Sequence, residues 1–302
     1  MLICCGLTTL DITQVVHVLP RPDEKVVATS QRATFGGPAA NAAATAAALG
    51  VPTRLVTAIG TGALAEVVRA DVVAAGVELI DVTADGRAVP DEEARGPAVS
   101  TVLVTAGTGE RAVVSTNATD RPVAAGGGRA VSSVFDPVGQ GDVGGRERDV
   151  LLLDGHHPFL AHALAVRARE REVLVVLDGG SWKDGTAELV ALCDAVVLSQ
   201  DFRMPGGDVS RVLEDVAALG PRFVARSRGG APVEVLDGGA RSDLPVPAAG
   251  VVVDTLGAGD VLHGAFAAGV SRGRSWGSAL REAVAVASRS VSYEGARGWI
   301  GR

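Results

Sequence analysis

A run of seven residues near the carboxyl terminus has the composition of an anion-binding turn. The run is Asp254-Thr255-Leu256-Gly257-Ala258-Gly259-Asp260, and it leads directly into the apolar stretch Val261 to Val270. Small residues let successive backbone N–H groups converge on one point, and the positive end of a helix dipole adds to them. Asp260 in the first helical turn could take the proton from a hydroxyl that attacks phosphorus. The pattern predicts phosphoryl transfer, although an acidic residue in a first turn also serves simple dipole compensation.

Two glycines and an asparagine form a second motif closer to the amino terminus. Phe35-Gly36-Gly37-Pro38-Ala39-Ala40-Asn41 precedes the alanine-rich run Ala42 to Leu49. Glycines allow a ligand to approach the backbone, and the Asn41 amide offers both a donor and an acceptor to a polyol. The alternative is a tight turn in which Asn41 only caps a helix.

The two motifs together resemble the paired signatures of the ribokinase family of carbohydrate kinases, the PfkB group. The resemblance extends over nearly the whole chain, and the further matching segments are Asp11, Thr108-Gly109-Glu110-Arg111, Leu153-Asp154-Gly155 and Gly295-Ala296. It implies a ribokinase-like α/β fold, with a predominantly parallel central sheet, helices on both faces and a small β lid. It also implies an ATP-dependent sugar kinase, with a ketose or furanose sugar favoured.

The resemblance assigns roles to individual residues. Asp260 would be the general base, and the backbone of Gly257, Ala258 and Gly259 would hold the transferring phosphoryl group. The sugar would be bound by Asp11, Gly37, Asn41 and Asp154, and the nucleotide by Ser199, Ser227, Gly229, Gly257 and Gly259. Mg²⁺ would arrive with ATP, held largely through the phosphates. Many relatives also use K⁺, which would lie at Asp254, the Leu256 carbonyl and the loop around Gly295.

Substrate selection has its own candidates. Arg111, on the predicted lid, could bind an anionic group of the sugar or could only brace the lid. One residue of the pair His156-His157 could also face the sugar, because the pair follows a predicted strand.

Two nucleotide-side motifs depart from the family pattern. Asn-x-x-Glu, which arranges phosphates and Mg²⁺ in the family, falls here on Ser199-Gln200-Asp201-Phe202, and Phe202 cannot replace a carboxylate. Thr-x-Gly-x-x-Gly becomes Ser227-Arg228-Gly229-Gly230-Ala231-Pro232, where proline removes a donor. These departures leave open a sugar-binding or nucleotide-binding relative with weak or no turnover.

A dinucleotide-binding turn is a further alternative. Thr53 to Ile59 is predicted to be a strand, Gly60-Thr61-Gly62-Ala63-Leu64-Ala65 follows it, and Asp81 comes about twenty positions later. This spacing is typical of NAD-dependent oxidoreductases. Against it, such turns normally open their domain, whereas this one follows another strand and a long extended segment.

Short apolar runs separated by helix-length segments predict a parallel sheet covered on both faces. The runs are Leu2–Leu7, Thr53–Ile59, Val77–Val82, Asp149–Leu153, Val173–Leu177, Ala195–Leu198 and Arg222–Ala225. Asp11, Asp154, Asp178 and Ser199 follow such runs, so we expect them to share the rim where parallel sheets bind ligands.

The extended segments at about 11–35 and 97–116 predict the lid, within one domain over residues 1–302. Glycine-rich stretches at 126–128 and 139–145 are expected to be connecting loops. Pairing of two lids into a homodimer is left open.

Composition excludes several classes of protein. With 302 residues and 47 % hydrophobic content the chain can bury a large core, while a net charge of −7 disfavours nucleic acid or anionic lipid as a partner. No stretch approaches 18 apolar residues, so we expect a cytoplasmic protein that does not cross a membrane. No Gly-Lys-Ser or Gly-Lys-Thr is present, which excludes a P-loop. Cys4 and Cys5 are adjacent in the first predicted strand, so their thiols point to opposite faces and are expected to be buried.

Overall fold

The computed structural model describes residues 1–83, 96–108, 110–116, 133–136 and 148–302. Gly109 of the predicted lid turn and the glycine-rich stretches at 126–128 and 139–145 lie outside the described residues.

Thirteen strands form two sheets in the described part of the chain. In chain order they are β1 (Leu2–Cys5), β2 (Thr9–Val16), β3 (Ser30–Gly36), β4 (Thr53–Thr57), β5 (Glu78–Asp81), β6 (Ala98–Thr105), β7 (Arg111–Ser115), β8 (Val150–Leu153), β9 (Leu174–Gly179), β10 (Ala195–Leu198), β11 (Phe223–Arg228), β12 (Ala231–Asp237) and β13 (Ala240–Leu244). The central sheet has the order β13-β12-β11-β10-β9-β8-β1-β4-β5, and the small sheet has the order β3-β2-β6-β7.

The seven predicted strands form the parallel part of the central sheet. Each neighbouring pair from β5 to β11 is parallel. The antiparallel hairpin of β12 and β13 at one edge was not predicted. Its turn, Gly238-Gly239, has φ of 55° and 89°, the positive values that tight hairpin turns need.

Helices cover both faces of the central sheet, as predicted. They are α1 (Pro38–Ala48), α2 (Ala63–Ala74), α3 (Pro158–Glu170), α4 (Thr186–Val190), α5 (Val212–Ala217), α6 (Ala258–Ser271) and α7 (Trp276–Ser290), with a 3₁₀ turn at Val209–Arg211. The apolar faces of α1, α2, α6 and α7 pack in one core, and those of α3, α4 and α5 pack in the other. None of the helices in the described residues combines the length and apolar character that a membrane crossing needs.

Successive side chains of the central strands point alternately into the two cores. On β1, Leu2 and Cys4 belong to one core while Ile3 and Cys5 belong to the other. The opposite orientation of the two thiols is confirmed, and Cys4, Cys5 and Cys193 are free and buried. Burial raises the pKa of these thiols, so they remain protonated and unreactive.

Small residues bring α1 and α6 into close contact. A Cβ on Gly264 of α6 would lie 2.3 Å from the Ala42 carbonyl oxygen of α1, so a larger residue would force the helices apart. The alanine-rich run after Asn41 also permits the close approach of the two helices, because alanine adds little bulk at the contact. The amino-terminal ends of α1 and α6 therefore lie side by side.

The small sheet falls on the two segments predicted to form the lid, and β2 begins two residues before the predicted boundary. Asp11 was expected at the rim of the central sheet. That expectation was wrong: Asp11 lies on β2 and pairs with Thr34 of β3, because the chain leaves the central sheet at Gly6 and enters the small sheet at Thr9. That the small sheet closes over a substrate stays a prediction.

Candidate active site

A cavity of about 940 Å³ opens between the small sheet and the amino-terminal ends of α1 and α6. Its volume is in the range of small-molecule sites. Asp11, Gly37, Asn41, Gly257 and Asp260 all line it, although they come from widely separated parts of the sequence. The structure therefore brings together the central residues of both predicted motifs.

Glycine is required where each helix begins. Gly37 precedes α1 with φ 94° and Gly257 precedes α6 with φ 72°, a region that other residues rarely adopt. An added Cβ would lie 2.4 Å from the Leu7 carbonyl oxygen at the first position and 2.3 Å from the Ala296 Cβ at the second. Each glycine thus permits both the backbone conformation and the close packing of the turn.

The second turn presents unpaired donors. Within the described residues, the backbone N–H groups of Gly257, Gly259 and Asp260 have no acceptor, whereas that of Ala258 donates to the Thr255 carbonyl at 3.3 Å. These three groups lie at the positive end of α6, so the turn can bind an anion.

The half-buried Asp260 carboxylate lies beside these donors. The Asn41 side-chain amide donates to Asp260 Oδ2 at 2.7 Å. Burial and the neighbouring Asp178 raise the pKa of Asp260, while the hydrogen bond from Asn41 opposes them. A raised pKa brings a carboxylate closer to the value at which it can accept a proton near neutral pH.

Asp178 and His263 form a buried pair behind the base. His263 Nδ1 lies 3.1 Å from Asp178 Oδ2, and His263 Nε2 lies 3.0 Å from the Val197 carbonyl oxygen. Since a carbonyl can only accept, Nε2 carries the proton of a neutral ring, and Nδ1 has no hydrogen-bond partner among the described residues. Burial lowers the pKa of His263 and, with Asp154, raises the pKa of Asp178 to about 8. This raised pKa favours the protonated form of Asp178 at neutral pH.

Asp11 faces the cavity from β2. Its Oδ1 accepts a hydrogen bond from the Thr9 hydroxyl at 2.6 Å. A Cβ on Gly36 would lie 1.9 Å from Asp11 Oδ2, so Gly36 makes the space that this carboxylate occupies.

Asp154, expected to bind the sugar, lies outside the cavity lining. Its Oδ2 accepts backbone hydrogen bonds from Leu7 at 2.8 Å and Ala39 at 3.2 Å, and its Oδ1 accepts one from His156 at 2.9 Å. The carboxylate thus ties β1, the first turn of α1 and the end of β8 together. His156 and His157 also lie outside the cavity lining, and His156 Nε2 is 3.3 Å from Lys183 Nζ.

Arg111 reaches the anion-binding turn rather than the cavity lining. Its Nη1 lies 3.3 Å from the Thr255 hydroxyl and 3.7 Å from Asp254 Oδ1. The Asp254 carboxylate also accepts backbone hydrogen bonds from Leu256 and Gly295, both at 2.8 Å. Asp254 therefore joins the two loops between which the resemblance would locate K⁺, and an arginine already lies beside it.

Three of the predicted nucleotide residues, Ser199, Ser227 and Gly229, lie at the carboxyl ends of β10 and β11, outside the cavity lining. The Ser199 hydroxyl donates to the Gly180 carbonyl at 2.9 Å, and the Ser227 hydroxyl donates to the Leu198 carbonyl at 3.2 Å. Gly229 is exposed in the turn after β11. Phe202 is fully buried, with its ring centroid 6.0 Å from that of Trp182, so the family's glutamate position belongs to the core here.

The dinucleotide-binding alternative is not supported by the geometry. Asp81, which would bind a ribose in that alternative, is buried and forms an ion pair with Arg69 at 2.5 Å. It also accepts hydrogen bonds from the backbone of Ile59 and from Thr83. Its carboxylate is therefore committed to holding the loop after β4.

Arg297 is the site residue that sequence reasoning missed. It lines the cavity, and its guanidinium donates to Asn41 Oδ1, to the Thr34 hydroxyl and to the Phe35 carbonyl. The guanidinium carbon lies 3.6 Å from the centroid of the Phe35 ring. The only available signal was its position directly after the matched Gly295-Ala296.

Comparison with known proteins is consistent with this site. An ATP-dependent ribose-1-phosphate kinase from Halopiger xanaduensis is 29 % identical over 301 residues, covering 97 % of this chain and 92 % of the relative. The solved ribokinase of Thermotoga maritima has a TM-score of 0.74 at 21 % identity, and the Arabidopsis thaliana ribokinase complexed with ribose and ATP has 0.74 at 20 %. Each alignment covers 99 % of this chain and 95 % of the solved one, and shows the ribokinase-like fold.

A family model, described as pfkB family carbohydrate kinase, matches residues 1–300. Because the match spans nearly the whole chain and includes both glycine motifs of the cavity, the protein belongs to the pfkB family of carbohydrate kinases, phosphotransferases with an alcohol group as acceptor.

Proposed function

We propose that the protein is an ATP-dependent kinase that phosphorylates a hydroxyl of a monosaccharide, in ketose or furanose form, with Asp260 as general base. The observation that carries this proposal is the position of the half-buried Asp260 carboxylate in the cavity wall, beside the three N–H groups of its turn that have no acceptor among the described residues. The named activity of the Halopiger relative and the ribose and ATP bound by the Arabidopsis ribokinase support sugar and ATP as substrates.

Transfer would use the chain's own groups as follows. Asp260 takes the proton of the attacking hydroxyl while the N–H groups of Gly257, Gly259 and Asp260 stabilise charge on the transferring phosphoryl oxygens. Ala258 contributes less, because its N–H is already engaged. The sugar hydroxyls would be held by the Asp11 carboxylate, the free donor of Asn41 and the backbone at Gly37.

The family resemblance implies two cations at this site, Mg²⁺ and K⁺. Phe202 supplies no carboxylate for Mg²⁺, so the metal would be held through the phosphates of ATP, which supply its charge neutralisation. K⁺ does not fit well beside Asp254, because the Arg111 guanidinium is 3.7 Å from the same carboxylate. We infer that Arg111 supplies this positive charge from the small sheet.

A phosphorylated sugar is a second candidate substrate. Arg32 lines the cavity from β3, its guanidinium is half exposed, and its one ion pair with the residues that the structure describes is with the exposed Glu294 at 3.2 Å. An exposed ion pair of this kind is weak, so Arg32 can exchange Glu294 for a phosphate. The relative named as a ribose-1-phosphate kinase acts on a substrate of this class.

Coupled ADP-release measurements over a panel of sugars and sugar phosphates test the proposal. Wild type should release ADP with at least one of them, and Asp260→Asn should lower kcat about 10²- to 10⁴-fold. Arg32→Gln should raise KM for sugar phosphates and leave KM for neutral sugars unchanged. Sugar and ATP binding without ADP release in wild type would instead support the non-catalytic relative.

A further inference from the structure

Arg297 is a buried cation without an acidic partner. Within the described residues no carboxylate lies within 4.0 Å of its guanidinium, although the residue is largely enclosed in the cavity wall. Burial lowers the pKa of Arg297 to about 10, so it stays charged at neutral pH. Asp11 is the acid that most opposes this lowering, but it forms no ion pair with Arg297, so the role of the enclosed charge is to be sought in its hydrogen bonds.

The hydrogen bonds of Arg297 determine the orientation of a neighbouring amide. An arginine can only donate, so the Asn41 atom facing it must be the oxygen, Oδ1. The nitrogen, Nδ2, must then face Asp260 Oδ2, 2.7 Å away. Consequently Oδ2 of Asp260 is an acceptor in this arrangement, and its other oxygen, Oδ1, is the one without this bond.

We propose that Arg297 is a positioning residue for the proposed reaction: by holding Oδ1 of Asn41, it keeps Nδ2 of Asn41 on Oδ2 of Asp260 and reserves Oδ1 of Asp260 for the substrate hydroxyl. The inference rests on the proposed function for the identity of the base. Without Arg297 the amide can rotate and turn its own oxygen toward Asp260. That arrangement favours a protonated Asp260, which cannot act as a base.

Arg297 adds a positive charge to the surroundings of Asp260. The titratable groups that face Asp260 from the described elements are Asp178 of β9, Asp154 after β8, His263 of α6 and Arg297 of the carboxyl-terminal loop. Asp178 and His263 are neutral at neutral pH, and Asp154 is negative. Loss of Arg297 would therefore act on the base both through the amide and through the lost charge.

The test is a ¹³C NMR titration of the Asp260 carboxyl carbon in the ligand-free protein, assigned by its disappearance in Asp260→Asn. Arg297→Gln should raise the pKa of Asp260 by about one pH unit, and Arg297→Lys, which keeps the charge and a donor, should raise it less. Asn41→Leu should also raise it, since it removes the same hydrogen bond without disturbing Arg297. Arg32→Gln is the matched control, because it removes an arginine of the same cavity that makes no contact with Asn41.

Enzyme kinetics separates this inference from the proposed function. In Arg297→Gln the acid limb of the kcat profile should move to higher pH by the amount seen in the NMR titration, with kcat reduced more than KM is raised. An Asp260 pKa that is the same in wild type, Arg297→Gln and Asn41→Leu overturns the positioning role, even if Asp260→Asn is inactive. Full activity of Asp260→Asn overturns the proposed base itself, whatever the NMR titration shows.

Discussion

Replacing Asp178 with asparagine tests whether this buried carboxyl group is protonated. His263 Nδ1 lies 3.1 Å from Asp178 Oδ2 but has no hydrogen-bond partner among the described residues, so burial and the nearby Asp154 charge, not a bond to His263, hold Asp178 in its protonated form. An asparagine side chain is neutral and similar in size to a protonated aspartate. We therefore expect Asp178→Asn to fold with a neutral side chain at the same buried position.

The magnitude follows from the pKa of the folded state. The pKa of Asp178 is raised from 3.8 to about 8 in the folded protein. At pH values between these two, the folded protein therefore holds a proton that the unfolded chain has released. Stability then falls as pH rises, by up to about 1.4 kcal/mol for each pH unit. From pH 5 to pH 7, wild type should lose up to about 3 kcal/mol relative to Asp178→Asn, which has no such proton.

Urea unfolding of both proteins at several pH values between 5 and 8 measures this difference. Asp154→Asn is a second test on the neighbouring strand. The Asp154 charge helps to raise the pKa of Asp178, so its removal should lower that pKa and narrow the pH range over which stability falls. If the difference in unfolding free energy between wild type and Asp178→Asn stays constant from pH 5 to pH 8, the protonated carboxyl group is refuted. If Asp178→Asn is less stable than wild type by about 3–5 kcal/mol at every pH, Asp178 instead forms a buried ion pair with His263.

Three further predictions concern the site directly. Gly257→Ala should lower both activity and melting temperature, because the added Cβ would lie 2.3 Å from the Ala296 Cβ. Gly259→Ala is the control and should melt like wild type, because its added Cβ meets nothing within 4 Å. Equal melting temperatures for the two variants would contradict the strained turn. The kcat should fall as pH is lowered through the raised pKa of Asp260, with an acid limb above that of an ordinary aspartate, and a rate that is flat down to pH 4 would contradict a buried base. Replacing K⁺ with tetramethylammonium should leave the wild-type rate unchanged, and Arg111→Gln should become stimulated by K⁺; a wild-type enzyme that requires K⁺ would show that Arg111 does not replace the ion.

The two glycine motifs were predictable because the conformations they need are local. Positive φ at Gly37 and Gly257 is a property of single residues, and glycine is the residue that adopts it most readily. The parallel strands were predictable for a similar reason, since short apolar runs buried on both faces have a recognisable composition. The hairpin of β12 and β13 was missed, although its Asp237-Gly238-Gly239 turn is a known hairpin signal.

The roles of Asp154 and Arg297 were not predictable from local pattern. Asp154 follows a strand as a sugar-binding residue would, but the backbone of Leu7 and Ala39 occupies its carboxylate. Arg297 is 256 positions from Asn41 in the sequence, and only packing of the carboxyl-terminal loop against α1 brings them into contact.

The sequence by itself determined that two glycine turns before helices and a parallel sheet are present, because backbone conformation and strand burial are encoded within a few residues. The tertiary structure decided that Asn41 donates to Asp260, that Asp178 is buried, and that Arg111 lies beside Asp254. Protonation and hydrogen-bond direction depend on burial and on partners that are distant in the chain. Burial and these partners are set only when the chain folds.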